Sequence, residues 1–183
     1  MTRNNVKWYN NDSVESFQLS RGALKILHVP NAGGSSVRSE VMSYEIIRGL
    51  MPGTELHKTE MEIEYFPRGS KKTDYSIMAS GQCLGVSVTR AMNYFVNQTF
   101  QSEDARAILY KKLNGVVWST RNNYSTNKMD VFRRQILHVF AQNEEIAGML
   151  QEEYYNIPLD IRSDTIVIVT VTPEKGSKWL YYE

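Results

Sequence analysis

The residues of this chain best suited to chemistry on a charged substrate are cations. Between Arg106 and Arg134 stand Arg106, Lys111, Lys112, Arg121, Lys128, Arg133 and Arg134, opposed by Asp130 alone, with Trp118 and Tyr124 among them. A basic segment interleaved with aromatic rings suits a nucleic-acid surface, because cations replace condensed counterions and rings stack on bases. Lys111, Lys112, Arg121, Lys128, Arg133 and Arg134 are the candidate contacts. An acidic run follows (Glu144, Glu145, Glu152, Glu153, Asp160) with no base between its members. The same cations are therefore equally readable as a solvated helix end and loop, with an acidic helix packed nearby.

Other chemistries lack their residues. His28, His57 and His138 are far apart, and Cys83 is the sole cysteine, so neither a Cys-rich zinc site nor an internal disulfide is available. Cys83 reads as a small strand residue. The stretch His28 to Ser36 has a glycine pair before a helix start, but no Gly-Lys-Ser/Thr and no GxGxxG. Gly85-Val86-Ser87 lacks the second glycine of a nucleophile elbow.

The elements that must carry these residues follow from composition and period. The chain has 183 residues, 42% hydrophobic and 22% charged, with a formal net charge of +1. Those values suit one folded domain and imply no strong polyelectrolyte partner from the total alone. No apolar run approaches the ~18 residues of a membrane span, and the first residues lack a signal peptide's apolar stretch. A reducing compartment, cytosol or nucleus, and no membrane association are the expectations.

Residues 1–22 read as a polar arm and 23–183 as a single α/β domain. Ala23–Val29 reads as a short strand. Val37, Val41, Tyr44, Ile47 and Leu50 recur at helical spacing, so Ser36–Leu50 reads as an amphipathic helix capped by Ser35 or Ser36. Thr59–Tyr65 alternates acidic and apolar residues, which predicts a strand with Glu60, Glu62 and Glu64 on one face. Thr73–Ser80 and Leu84–Thr89 read as two further strands joined at Gly81-Gln82. A second helix is expected over Glu103–Leu113, stopped by Asn114-Gly115, then a short strand at Val116–Thr120 and a polar loop over 121–128. Met129–Gln142 fits helix or strand, with strand preferred. Asn143–Tyr155 reads as a helix, Asp164–Val171 as a central strand, and Trp179–Tyr182 as a last edge strand.

From Ser36 to Thr120 this order is helix, strand, strand, strand, helix, strand. It resembles the αβββαβ core of the PD-(D/E)XK phosphodiesterases, as a divergent member. The resemblance implies a mixed central sheet flanked by helices, with strand and helix additions at the C-terminus. It also implies a metal-binding Asp74 opening the second strand, with Glu40 contributed by the first helix. Mg²⁺ or Mn²⁺ would be the cofactor, since hard carboxylate oxygens hold these ions against a phosphodiester. The third strand, Gly85-Val86-Ser87-Val88-Thr89-Arg90, departs from the family's (D/E)xK. Either Val88 and Arg90 or Ser87 and Thr89 take the acid and lysine places, and neither pair supplies a carboxylate. The alternation favours Ser87 and Thr89 facing the site. A migrated acid would come from Glu62 or Glu64, and a migrated base from Lys111 or Lys112.

The resemblance thus implies a protein that binds DNA or RNA through Glu40, Asp74, Ser87, Thr89, Arg90 and the basic stretch, with cleavage lost. An active Mg²⁺-dependent nuclease using Glu40 and Asp74 is one alternative. The other is a protein-interaction module within a larger assembly, with the tail Trp179–Tyr182 as its contact.

Overall fold

The structure is a computed structural model that describes residues 1–5, 13–30, 36–67, 69, 71–93, 99–123, 125, 127–172 and 177–181. Ser35, most of the glycine-rich loop, Tyr124 and Tyr182 lie outside the described residues. Six strands form one mixed sheet: β1 (Thr2–Asn5), β2 (Glu55–Thr59), β3 (Tyr75–Ala79), β4 (Gln82–Ala91), β5 (Arg134–Ala141) and β6 (Thr165–Val171), in the order β1-β6-β5-β4-β3-β2. The β2–β3 and β3–β4 pairs are antiparallel, and β4–β5, β5–β6 and β6–β1 are parallel.

The helices are α1 (Arg21–His28), α2 (Val37–Leu50), α3 (Ser102–Asn122), α4 (Glu144–Asn156), α5 (Leu159–Arg162) and α6 (Lys178–Tyr181). Residues of α1, α2 and α6 share one apolar cluster with Tyr75, Val86, Val88, Ile136 and Phe140. Those of α3 and α4 share another with Leu137, Val139, Val167 and Val169. Alternate β5 residues therefore go to opposite faces, as the pleat requires. The expected α/β class holds.

The αβββαβ order is present as α2-β2-β3-β4-α3-β5, but its last members differ from those expected. The predicted strand Val116–Thr120 is the second half of α3. The apolar stripe Ala105, Leu109, Leu113, Val116 stays buried through Asn114-Gly115. A Cβ at Gly115 would meet nothing within 4 Å, so the glycine costs about 1 kcal/mol of propensity against several buried side chains at about 1.5–3 kcal/mol each. The closing strand is β5, where the preferred strand within Met129–Gln142 is found. The core consequently runs over 37–141 rather than 36–120.

Three short apolar runs go against their expected type. Ala23–Val29 lies largely in α1: the Ser20 hydroxyl accepts from Ala23 N and buries Ala23 and Ile26 at helical spacing. Trp179–Tyr181 lies in α6 with all three residues buried, so this part of the tail is core rather than contact surface. Thr2–Asn5, read as part of a polar arm, pairs in parallel beside β6.

Two turns set the site region. Ser80 and Gly81 both have positive φ (49° and 74°), the two-residue hairpin that matches strand twist. After β2 the chain closes a 3-10 turn at Glu60–Glu62, where Glu62 and Thr59 form a capping box. The predicted strand Thr59–Tyr65 and its glutamate face are therefore absent.

Candidate functional site

Asp74 stands where β3 begins and its pairing with β4 ends. Asp74 N donates to Val86 O at 3.1 Å, and beyond that point β3 has no main chain to offer Val88. The side chain substitutes: Asp74 Oδ2 accepts from Val88 N at 2.6 Å. The Val88 carbonyl accepts from Lys112 Nζ of α3 at 3.4 Å. Glu40, 5% exposed, approaches from α2, with its Oε1 accepting from Ser36 Oγ at 2.6 Å.

These groups form one electrostatic unit. Burial, and then the neighbouring charge of Asp74, push the Glu40 carboxyl up to about 7. Burial pushes Asp74 up to about 6, opposed by the Val88 N–H and by Lys112. Glu60 raises both from the 3-10 turn after β2. Glu40 Oε2 and Asp74 Oδ1 have no hydrogen-bond partner among the described residues, so the group holds two hard acceptors near one cation.

No group of three His, Cys, Asp or Glu side chains capable of holding a metal occurs among the described residues. Two carboxylates fit Mg²⁺ only in its water-rich mode, with one or two protein oxygens and the rest from solvent and substrate phosphate. An ion so held would offset charge at a phosphoryl oxygen. Glu40 and Asp74 are the residues that would hold it.

The remaining candidates distribute as follows. Val88 is buried toward α2, Ser87 is buried and Thr89 half-buried. Arg90 donates to Leu180 O at 3.0 Å, and so holds α6 rather than the crevice. Glu62 is taken by Lys25 at 2.8 Å and by Thr59, and Glu64 is exposed. Neither migrated-acid candidate joins Asp74. Lys112 is the migrated-base candidate that does, and Lys111 is exposed. The nearby acid is Glu60, missed because the acidic alternation was read as strand. The Thr59-x-x-Glu62 capping box was the signal against it.

Of the basic stretch, Arg121, Lys128, Arg133 and Arg134 are exposed, and the Arg121 guanidinium lies 5.5 Å from the Trp118 ring centre. Thr73, next to Asp74, is hydrogen bonded to Ser119 at 3.1 Å and to Gln135 at 2.6 Å. Ser119 is a half-turn from Arg121, and Gln135 adjoins Arg134. These bonds tie α3 and β5, which carry Arg121 and Arg134, to the residue preceding Asp74. Arg106 is different: it pairs with Glu153 at 2.6 Å, the acidic-helix arrangement anticipated for the whole run.

A second polar chain lies beneath the sheet. His138 Nδ1 is 2.8 Å from Ser43 Oγ, which is 2.8 Å from Tyr75 Oη, and His138 Nε2 is 2.8 Å from Thr170 Oγ1. Burial pushes His138 down to about 3, so the ring is neutral. Its position in a strand core gave no sequence signal.

Comparison with known proteins is sparse. No family model matches the chain. Over 163 residues it is 43% identical to the AAC-rich mRNA clone AAC4 protein of Dictyostelium discoideum, a match covering 86% of this chain and 23% of that protein. The chain thus spans under a quarter of that relative's length. Among solved structures, Pyrococcus furiosus SfsA in complex with Ca²⁺ overlaps 81% of this chain and 71% of its own, at a TM-score of 0.38 and 12% identity. No helix among the described residues is long and apolar enough to cross a membrane.

Proposed function

We propose that the domain binds the phosphodiester backbone of nucleic acid at the Glu40–Asp74–Lys112 group and along the basic residues of α3 and β5, without efficient cleavage. The observation that carries this is that Asp74, opening β3, and Lys112 from α3 both bond the backbone of Val88, with the buried Glu40 of α2 in electrostatic contact with both. Groups from three elements, two of them destabilised carboxylates, lie together at the end of the β3–β4 pairing. Groups perturbed by burial and by a specific charge partner cluster at functional sites. Lys112 would hold a phosphate oxygen, and Arg121, Lys128, Arg133 and Arg134 would extend contact along the strand. The loss of cleavage is inferred from Val88, whose apolar side chain faces the core where a third carboxylate would complete the metal ligands.

A weak Mg²⁺- or Mn²⁺-dependent nuclease is the second reading, favoured by the two carboxylate oxygens without a partner among the described residues. One experiment separates them: incubation with single- and double-stranded DNA and RNA plus Mn²⁺, for the native chain, Asp74→Ala and Lys112→Ala. Retention without cleavage, weakened by Lys112→Ala, is the expected result. Cleavage lost in Asp74→Ala would establish the nuclease instead. Neither binding nor cleavage would sink both and leave a protein-interaction module.

A further inference from the structure

Helix α3 turns Lys112 toward Val88 and carries an exposed aromatic on another side. Trp118 is 48% exposed. It stands one residue before Ser119, whose hydroxyl meets Thr73 beside Asp74. Lys111, two turns earlier, and Arg121, one turn later, are exposed and lie along the same stripe of the helix. The Arg121 guanidinium is 5.5 Å from the Trp118 ring centre. From Lys111 to Asn123 the sequence holds three cations and no acid.

A second exposed aromatic is brought to the same place by a strap, Glu64–Phe66. Phe66, 71% exposed, donates its N–H to Asn122 O at 2.9 Å, one turn beyond Trp118. Tyr65 pairs with Asn123 in an isolated antiparallel bridge, and Glu64 O accepts from Asn123 Nδ2 at 3.3 Å. The Tyr65 hydroxyl accepts from Thr73 N at 2.9 Å. Burial pushes that hydroxyl up to about 12, and the nearby charges of Asp74 and Glu60 add to the rise. The strap therefore links the acid group to the end of α3. Phe66 N takes the Asn122 carbonyl and Asn123 N the Ser119 carbonyl, so two acceptors that would repel an anion from a helix C-terminus are engaged. Exposed apolar side chains scattered singly are ordinary. Two rings within one helical turn, beside exposed cations, are a surface.

We propose that Trp118 and Phe66 form a stacking surface for the bases of single-stranded nucleic acid, with Lys111 and Arg121 on its phosphates. This rests on the backbone-binding reading above and specifies the form of nucleic acid the domain takes. An aromatic ring stacks on the face of a base, and every base has one. In a duplex those faces are covered by neighbouring base pairs, and only edges are open in the grooves. Single strands of DNA and of RNA share the open face, so both fit. Charge favours a polyanion over an apolar protein segment, since the rings lie among cations and Glu64 is the one acid of the strap.

The test is fluorescence-anisotropy titration of the full chain with a labelled single strand of DNA, one of RNA, the matching DNA duplex, and an abasic strand that keeps the phosphates without the bases. Native protein, Trp118→Ala, Trp118→Tyr, Phe66→Ala and Lys112→Ala are compared, with urea midpoints confirming that each folds. Single strands should bind about tenfold more tightly than the duplex or the abasic strand. Trp118→Ala should weaken single-strand binding about tenfold, Trp118→Tyr should restore most of it, and Phe66→Ala should weaken it several-fold. None of the three should change binding of duplex or abasic strand, whereas Lys112→Ala should weaken all. Should Trp118→Ala fail to fold, Phe66→Ala decides, since Phe66 is exposed. Duplex bound as tightly as single strands overturns the proposal, as does single-strand binding indifferent to the aromatic variants. In either case a loss in Lys112→Ala leaves the backbone-binding reading standing. No binding of any nucleic acid overturns both.

Discussion

Helix α2 supplies a polar side chain to each of two buried networks, and the two behave in opposite ways. Ser43 joins the chain Tyr75–Ser43–His138–Thr170, in which both ring nitrogens of the histidine have partners and the ring carries no charge. Glu40, one turn earlier, joins Asp74 and Lys112, where two carboxylates are pushed up to about 7 and about 6 and each keeps an oxygen without a partner among the described residues. The first network is complete within the protein. The second leaves acceptor capacity unused among the described residues. Burial is common to both, so burial alone does not make a site; the difference is unspent hydrogen-bonding capacity combined with charge.

The sharpest way to break this contrast is at His138. His138→Ala would leave a cavity and strand the Ser43 and Thr170 hydroxyls. A loss of about 3–4 kcal/mol is expected, read as a lowered urea midpoint with unchanged slope. A loss too small to measure would show that the network is not structural.

The pH dependence of stability comes next. Glu40 and Asp74 are raised from the ordinary values 4.5 and 3.8, so the folded state holds their protons longer than the unfolded one. Their contribution is most favourable at low pH and is lost as pH rises through about 6 and about 7. His138 is lowered from 6.5 to about 3, so its neutral burial costs stability as pH falls below 6.5. The two networks thus give opposite slopes between pH 4.5 and 6.5. Glu40→Gln with Asp74→Asn should raise stability at pH 8 by about 1–2 kcal/mol per site, discounted because Asp74 is only half-buried. It should also leave a curve that climbs from pH 4.5 to 6.5. A double variant less stable than native at pH 8 would mean that the carboxylates are not strained.

The smallest effect tests whether the cations are structural. Arg106 is exposed, whereas its partner Glu153 is largely covered by the fold. Arg106→Ala should lower the urea midpoint only slightly, while Lys112→Ala should lower retention on immobilised nucleic acid. Equal and large destabilisation by both would recast the basic run as a scaffold for α4.

Much of the architecture was legible. The stripe Val37, Val41, Tyr44, Ile47 gave α2, the alternation around Tyr75 and Val86 gave the β3–β4 hairpin, and the run Thr165–Val171 gave a strand paired on both sides. Asp74 was legible as a strand-opening acid, and Lys112 as one of two lysines, with Lys111, able to approach it. Short apolar runs were not, because Ala23–Val29 and Trp179–Tyr181 fit either period over so few residues. Glu60 was hidden by an alternating pattern whose capping box outweighed it.

By itself, the sequence determined the elements whose period is long enough to be unambiguous, and it showed that β4 carries no acid: both follow from side-chain type and spacing. Tertiary structure alone decided that Asp74 and Lys112 meet at Val88 with the Glu40 carboxyl close enough to feel both charges. That meeting depends on where β3 stops pairing, how α2 and α3 cross opposite faces of the sheet, and how far burial lifts two carboxylates, none of which is a property of neighbouring residues.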